Sequence, residues 1–181
     1  MIDYIEKIVK ELVKETKTRN PKEICEAKHI VIKHDPLSRL VKAYFLYING
    51  CKGIVINEDI NQFFEKFLLA HELGHAILHC NTHTPKMFRE LRPFDSTGTM
   101  EYEANLFAAE LLIEDHIVYE MLHTSRMTYI EVAQTLGVPV KLMEFKLVLL
   151  KHKGYIMNDL PTAQADFFKY DNGEYDEWFV D

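Results

Sequence analysis

The segment Ala70-His71-Glu72-Leu73-Gly74-His75-Ala76 sits in a stretch whose apolar residues recur at helical spacing: Phe63, Phe64, Phe67, Leu68, Leu73, Ile77 and Leu78. That stretch predicts a buried helix over about 60–80. Positions i and i+4 of a helix share a face, with Cβ atoms about 5–6 Å apart. His71 and His75 are therefore spaced to grip one tetrahedral ion, with Glu72 placed to act as general base on a metal-activated water. Composition alone can produce such a string in a chain rich in His and Glu, but the apolar helical flanks make that reading the weaker one. Gly74 is a poor helix former, disfavoured by about 1 kcal/mol relative to Ala. Its position between the histidines points to close approach of a backbone or a substrate, or to tight packing.

A catalytic zinc site commonly uses three protein ligands and keeps one position open. The third is sought in Met100-Glu101-Tyr102-Glu103-Ala104-Asn105-Leu106-Phe107-Ala108-Ala109-Glu110-Leu111-Leu112-Ile113, which also reads as a helix. Glu101 and Asn105 share a face, so Glu101 can bind the ion while Asn105 hydrogen-bonds the outer atom of a ligand. Glu103 lies about 200° around the helix from Glu101, so both cannot face one ion. Glu101 is preferred because Asn105 would not share a face with Glu103. The small residues Ala104, Ala108 and Ala109 predict close packing against another helix.

With these residues in place, the chain resembles the ImmA/IrrE family of metallopeptidases. The resemblance rests on His71-Glu72-Leu73-Gly74-His75 with Leu78-His79 following, on Glu101-x-Glu103-Ala104-Asn105-x-Phe107-Ala108-Ala109-Glu110-Leu111-Leu112, and on Ile54-Val55-Ile56-Asn57 upstream. It covers about residues 20–155. It implies a compact zinc peptidase fold, with His71, His75 and Glu101 as ligands and Glu72 as catalytic acid/base. Characterised members cleave helix-turn-helix transcriptional repressors, which implies a repressor of a mobile element, prophage or stress response as substrate. Members often carry Pro after the Leu-Leu-x segment. Here Ile113-Glu114 follows instead, so the resemblance does not fix the end of that helix.

The chain has 181 residues, 48% of them hydrophobic, and a formal net charge of −7. That suits one domain with a real core. No apolar run reaches the 18–20 residues or so of a membrane span, and Met1-Ile2-Asp3-Tyr4-Ile5-Glu6 is a poor secretory signal. Three cysteines, Cys25, Cys51 and Cys80, lack CxxC spacing and do not suggest a disulfide framework. A cytoplasmic protein is expected, with no membrane partner. Cys80 is expected to be a buried, inert thiol. His79 lies about 12 Å along the helix from His71; it is expected to hydrogen-bond near the helix end rather than bind the same ion.

The fold expected is α+β: a small antiparallel sheet packed on a zinc-binding helical core, with helix-turn-helix-like helices at the C-terminal side. Ile2, Ile5, Val9, Leu12 and Val13 mark a first helix, and Pro21 opens a second. Strands are expected over 29–33, 41–48 and 52–57, the last two joined by the hairpin signal Asn49-Gly50. The 52–57 strand is expected to border the cleft with a free edge for an extended peptide. Segment 81–99 reads as a long irregular excursion, either a rim to the cleft or plain surface. Helices follow over 116–123, 129–136 and 140–152. One metallopeptidase domain over 1–155 is expected, with 125–155 as its helix-turn-helix-like part. Lys141, Lys146, Lys151 and Lys153 make no strong phosphate-binding stripe beside Glu144, so direct nucleic-acid binding is not expected. A tail over 156–181 completes the chain. Its residues 159–181 carry seven acids against Lys169, together with six aromatics, and could dock on the body, occupy the cleft or pack locally.

These features favour a zinc endopeptidase acting on a protein, with a non-proteolytic metal-binding regulator as the rival reading. An oxyanion-stabilising group is expected in addition, with Tyr102, His83, His116 and Tyr119 as candidates.

Overall fold

The structure is a computed structural model and describes residues 1–80, 86–90 and 98–156. Helices α1 (Ile2–Thr16) and α2 (Pro21–Ala27) precede strands β1 (Ile30–Asp35), β2 (Ala43–Ile48) and β3 (Cys51–Asn57). Helix α3 (Gln62–Gly74) continues into a π-helical turn (His75–His79); then come β4 (Lys86–Glu90), α4 (Thr99–Leu112), α5 (Asp115–His123), α6 (Tyr129–Leu136) and α7 (Val140–His152). The α+β class is as expected. None of the described helices is long and apolar enough to cross a membrane.

Local chemistry explains most boundaries. Asn20 caps α2 by accepting from the Lys22 amide at 3.0 Å, with Pro21 at the first helical position. Thr128 and Glu131 form a capping box at the start of α6, and Gly137 ends it in the left-handed region at φ 62°. Asn49 and Gly50, at φ 51° and 83°, make the two-residue turn that joins β2 to β3.

The sheet order is β1-β3-β2-β4. It is mixed rather than wholly antiparallel, because β1 runs parallel to β3 while β2 runs antiparallel to both β3 and β4. Residues 36–42 make no hairpin; they carry the chain past the end of β3 to its other side. Asn57 at that end is buried and holds the crossing chain, donating from Nδ2 to the Val41 carbonyl at 3.1 Å. β3 is therefore a central strand, and the expectation that it offers a free edge to a peptide is overturned. Its apolar run Gly53-Ile54-Val55-Ile56, buried on both faces, is the pattern of an interior strand. The expected irregular excursion contains an edge strand, β4, in register with Ala43 to Tyr47 of β2. The rest of that excursion, 81–85 and 91–97, lies outside the described residues, as does the tail from 157 onward.

α3 and α4 form the centre. Every residue from Phe67 to Gly74, and from Ala104 to Ala109, is buried, as befits helices surrounded on all sides. α3 packs on α4, α2, β2 and β3, while α4 also meets α1 and α7. α4 ends at Leu112 without a proline. Arg19 takes its last carbonyls instead, donating from Nη1 to Glu110 at 3.0 Å and Leu111 at 3.1 Å.

α7, which would be the reading helix of a helix-turn-helix, faces inward through Leu142, Met143, Phe145, Lys146, Leu147, Leu149 and Leu150. Lys146 is fully buried against Glu110, at 2.8 Å, and Asp115. Lys153 reaches the same two acids, each at 2.7 Å, and Lys141 pairs with Glu144 at 2.9 Å. Three of the four lysines considered for phosphate contact are thus engaged within the protein.

Burial raises the pKa of Asp115, but Lys146 and Lys153 outweigh it and hold the carboxyl below its ordinary value. Such an acid contributes stability in full above its unfolded pKa, about 3.9, and the contribution is lost as pH falls through the lower folded value. Lys146→Ala, which strips a buried partner, is expected to lower stability by about 3 kcal/mol at pH 7. The difference from wild type should shrink as urea unfolding is repeated below pH ~4.

Candidate metal centre

The i, i+4 spacing on α3 and the start of the π-helical turn puts His71 and His75 side by side, and α4 lays Glu101 across them. His71 Nε2 lies 3.2 Å from His75 Nε2 and 3.2 Å from Glu101 Oε2. His75 Nε2 lies 3.3 Å from Glu101 Oε1. Bonds of about 2.0–2.1 Å around a tetrahedral zinc require donor atoms about 3.3–3.4 Å apart. The three side chains therefore fit one such ion. They are also the only group of three or more His, Cys, Asp or Glu side chains among the described residues that could hold a metal.

Asn105 fixes one donor. Fully buried one turn beyond Glu101, it accepts from His71 Nδ1 at 3.0 Å through Oδ1. That hydrogen bond selects the tautomer whose Nε2 lone pair faces Glu101 and His75. Burial lowers the pKa of His75 despite its hydrogen bond with Glu101, favouring the neutral imidazole that binds metals. Burial raises the pKa of Glu101, but contacts with His71 and His75 outweigh it and hold the carboxyl far below the usual carboxylate range. A divalent cation would take the position that protons otherwise fill between these groups. Glu72, also fully buried, follows His71 on the same turn.

The two halves of this cluster meet because Gly74 has no side chain. A Cβ there would lie 3.2 Å from Ala104 Cα, 3.3 Å from the Ala104 carbonyl and 3.2 Å from Phe107 Cδ1. Of the readings open for Gly74, close approach of a backbone is the one observed. Glu103, turned away from the pair, comes to 3.7 Å from His79 Nε2, and His79 also reaches the Met100 carbonyl at 3.1 Å. His79 thus ties the end of the π-helical turn to α4.

Apolar periodicity does not distinguish an α-helix from a single wider turn, so the sequence carries no signal for the π-helical form of His75–His79. Lys52 of β3 supports it, donating to the Ala76 carbonyl at 3.1 Å. Cys80 is half-buried rather than buried, because it lies just past the turn; the deeply buried thiol is Cys25, which burial pushes up to about 12. Among the oxyanion candidates, Tyr102 packs on Phe145 at 5.6 Å and Tyr119 on His123 and Tyr155 at 4.2 and 5.3 Å. His116 lies 4.0 Å from Glu114. His83 is outside the described residues.

The family model for the IrrE N-terminal-like domain, a peptidase family, matches residues 25–148. The chain is 37% identical over 142 residues to a protein of Bacillus phage phi105 called immunity region protein 2, covering 78% of this chain and 88% of that protein. It is 30% identical over 146 residues to the metallopeptidase ImmA of Bacillus subtilis strain 168, covering 77% and 81% of the two chains.

Gly74→Ala gains helix propensity but forces α3 and α4 apart. Overpacking of this kind typically costs about 1–3 kcal/mol. The variant is expected to melt at a lower temperature and to gain less from added zinc than wild type, as read by paired thermal melts with and without the ion.

Proposed function

The chain belongs to the IrrE N-terminal-like family of peptidases and is a metallopeptidase of the ImmA/IrrE type, and from that premise we propose that it is a zinc-dependent endopeptidase cutting a helix-turn-helix repressor. His71, His75 and Glu101 hold the ion in this reading, Glu72 is the catalytic acid/base and Asn105 positions His71. The observation that carries the reading is the set of donor distances of 3.2, 3.2 and 3.3 Å among the three ligands, with Glu72 buried on the same turn. Borderline-soft imidazoles with one carboxylate suit zinc.

Zinc, when bound, supplies Lewis-acid activation of a water and of the scissile carbonyl. Glu72 accepts the proton of the attacking water and delivers one to the leaving nitrogen, so that one carboxyl serves as base and then as acid. Asn105 keeps the His71 ring in the tautomer that leaves Nε2 free to bind. The inward-facing α7 supports a protein rather than a nucleic acid as the partner. The relative from a phage immunity region supports a repressor of a mobile element as the substrate class. Action in the cytoplasm, where such a repressor works, completes the reading.

Co-expression with the repressor encoded beside this gene tests it. Wild type should make one discrete cut, and Glu72→Gln should slow that cut by at least ~10²-fold, the usual contribution of a general acid/base. Chelation should abolish the cut, and zinc should restore it. No cut by either protein, with zinc bound and the repressor co-purifying, would instead favour a non-proteolytic regulator.

A further inference from the structure

Glu101 stands in the first turn of α4, where a helix is least secured by its own bonds. The first four amides of a helix have no partner within it, and Gly98 at the N-cap contributes no side-chain hydrogen bond. Of the three candidate ligands Glu101 is also the one open to solvent, its side chain 30% exposed against 1% and 2% for His71 and His75. Its place beside the two imidazoles therefore depends on restraints from outside its own turn.

The contact of Gly74 with Ala104 is one such restraint, but a helix held at one point can pivot about it. Asn105 adjoins that point, whereas Glu101 lies three residues away, about 4.5 Å along the axis. A pivot would leave Asn105 against His71 and carry Glu101 off the histidines. His79 supplies a second point. Its Nε2 lies 3.1 Å from the Met100 carbonyl, which can only accept, so Nε2 carries the proton and donates. Glu103 Oε2 is 3.7 Å from the same nitrogen, beyond hydrogen-bond reach, so the bond to the backbone is the directional one. Met100 adjoins Glu101 and precedes Ala104 by one turn. The segment that carries His71 and His75 thus grips α4 at two points a turn apart, with Glu101 between them. Tyr102 holds the side of that turn facing α7, through Phe145 at 5.6 Å.

The π-helical turn serves this grip. The rings of His71, His75 and His79 follow one another at 4.8 and 5.4 Å, and the wider turn rotates His79 away from where a continued α-helix would put it. Lys52 holds the turn from the sheet side through the Ala76 carbonyl.

We propose that His79 is the positioning residue for the third ligand. By donating to the Met100 carbonyl it fixes the first turn of α4, and with it the Glu101 carboxylate against His71 and His75. The inference rests on the reading that these three side chains hold the ion.

Zinc affinity by chelator competition and the absorption spectrum of the cobalt(II)-loaded protein test it together. His79→Gln puts an amide nitrogen close to the position of Nε2 and should keep both near wild type. His79→Asn is too short to reach the carbonyl. It should bind zinc about 10-fold more weakly, as is usual when support of a metal ligand is lost, and its cobalt spectrum should move toward that of Glu101→Gln. His79→Leu, which keeps apolar bulk, should behave as His79→Asn does, and Glu103→Gln should resemble wild type. Unchanged affinity and spectrum in the Asn and Leu variants would overturn the proposal, even if their metal-free forms melt lower, since His79 would then be structural only. Equal losses in the Gln and Asn variants would overturn it as well, as would a loss in Glu103→Gln matching that in His79→Asn. Failure confined to the His79 variants leaves the ligand reading standing. Zinc affinity indifferent to Glu101→Gln would overturn both.

Discussion

The backbones of α3 and α4 touch at Gly74 and Ala104, where even a β-carbon would be 3.2 Å from the neighbouring Cα. His71 and His75 belong to one side of that contact, Glu101 and Asn105 to the other. No single stretch of chain holds more than two of the three donors. The separation of the two helices therefore sets whether the donors sit near the 3.3–3.4 Å or so that a tetrahedral ion demands. A few tenths of an ångström at Gly74 pass directly into the Glu101 contacts, because close-packed interiors transmit strain.

The surroundings hold α4 in place from several directions. Arg19 takes the carbonyls at its end, and Lys146 and Lys153 enclose Glu110, while His79 reaches the Met100 carbonyl near its start. On α3, Lys52 from the central strand steadies the Ala76 carbonyl just beyond His75. The C-terminal helices take part in this support. Their resemblance to a helix-turn-helix lies in connection and turn, while α7 is spent on the core and on the acids of α4 and α5, with none of its residues 140–150 fully exposed.

Much of this was legible because it is local. The apolar stripe around HExxH, the Asn49-Gly50 hairpin, the Pro21 and Gly137 boundaries and the shared face of Glu101 and Asn105 each follow from spacing within a few residues. What was not legible depends on residues distant in the chain. The parallel pairing of β1 with β3 arises from a crossing at 36–42 that Asn57 secures, and a run of alternating strands with a good hairpin gives no hint of it. β4 is a strand because β2 presents an unpaired edge, so its own mixed sequence reads as a loop. The burial of Lys146 has no local signal because its partners, Glu110 and Asp115, lie on two other helices. The signal for β3 is present in Gly53-Ile54-Val55-Ile56, apolar on both faces, which is the pattern of a strand with neighbours on both sides rather than a free edge.

The account turns on three side chains from two helices sharing one ion, and X-ray absorption at the zinc edge of the metal-loaded protein measures that most directly. The predicted shell contains only nitrogen and oxygen, with the outer scattering of two imidazoles, and Glu101→Gln should alter it while Cys80→Ser leaves it unchanged. A sulfur in the first shell, or a spectrum unaffected by Glu101→Gln, would contradict the account.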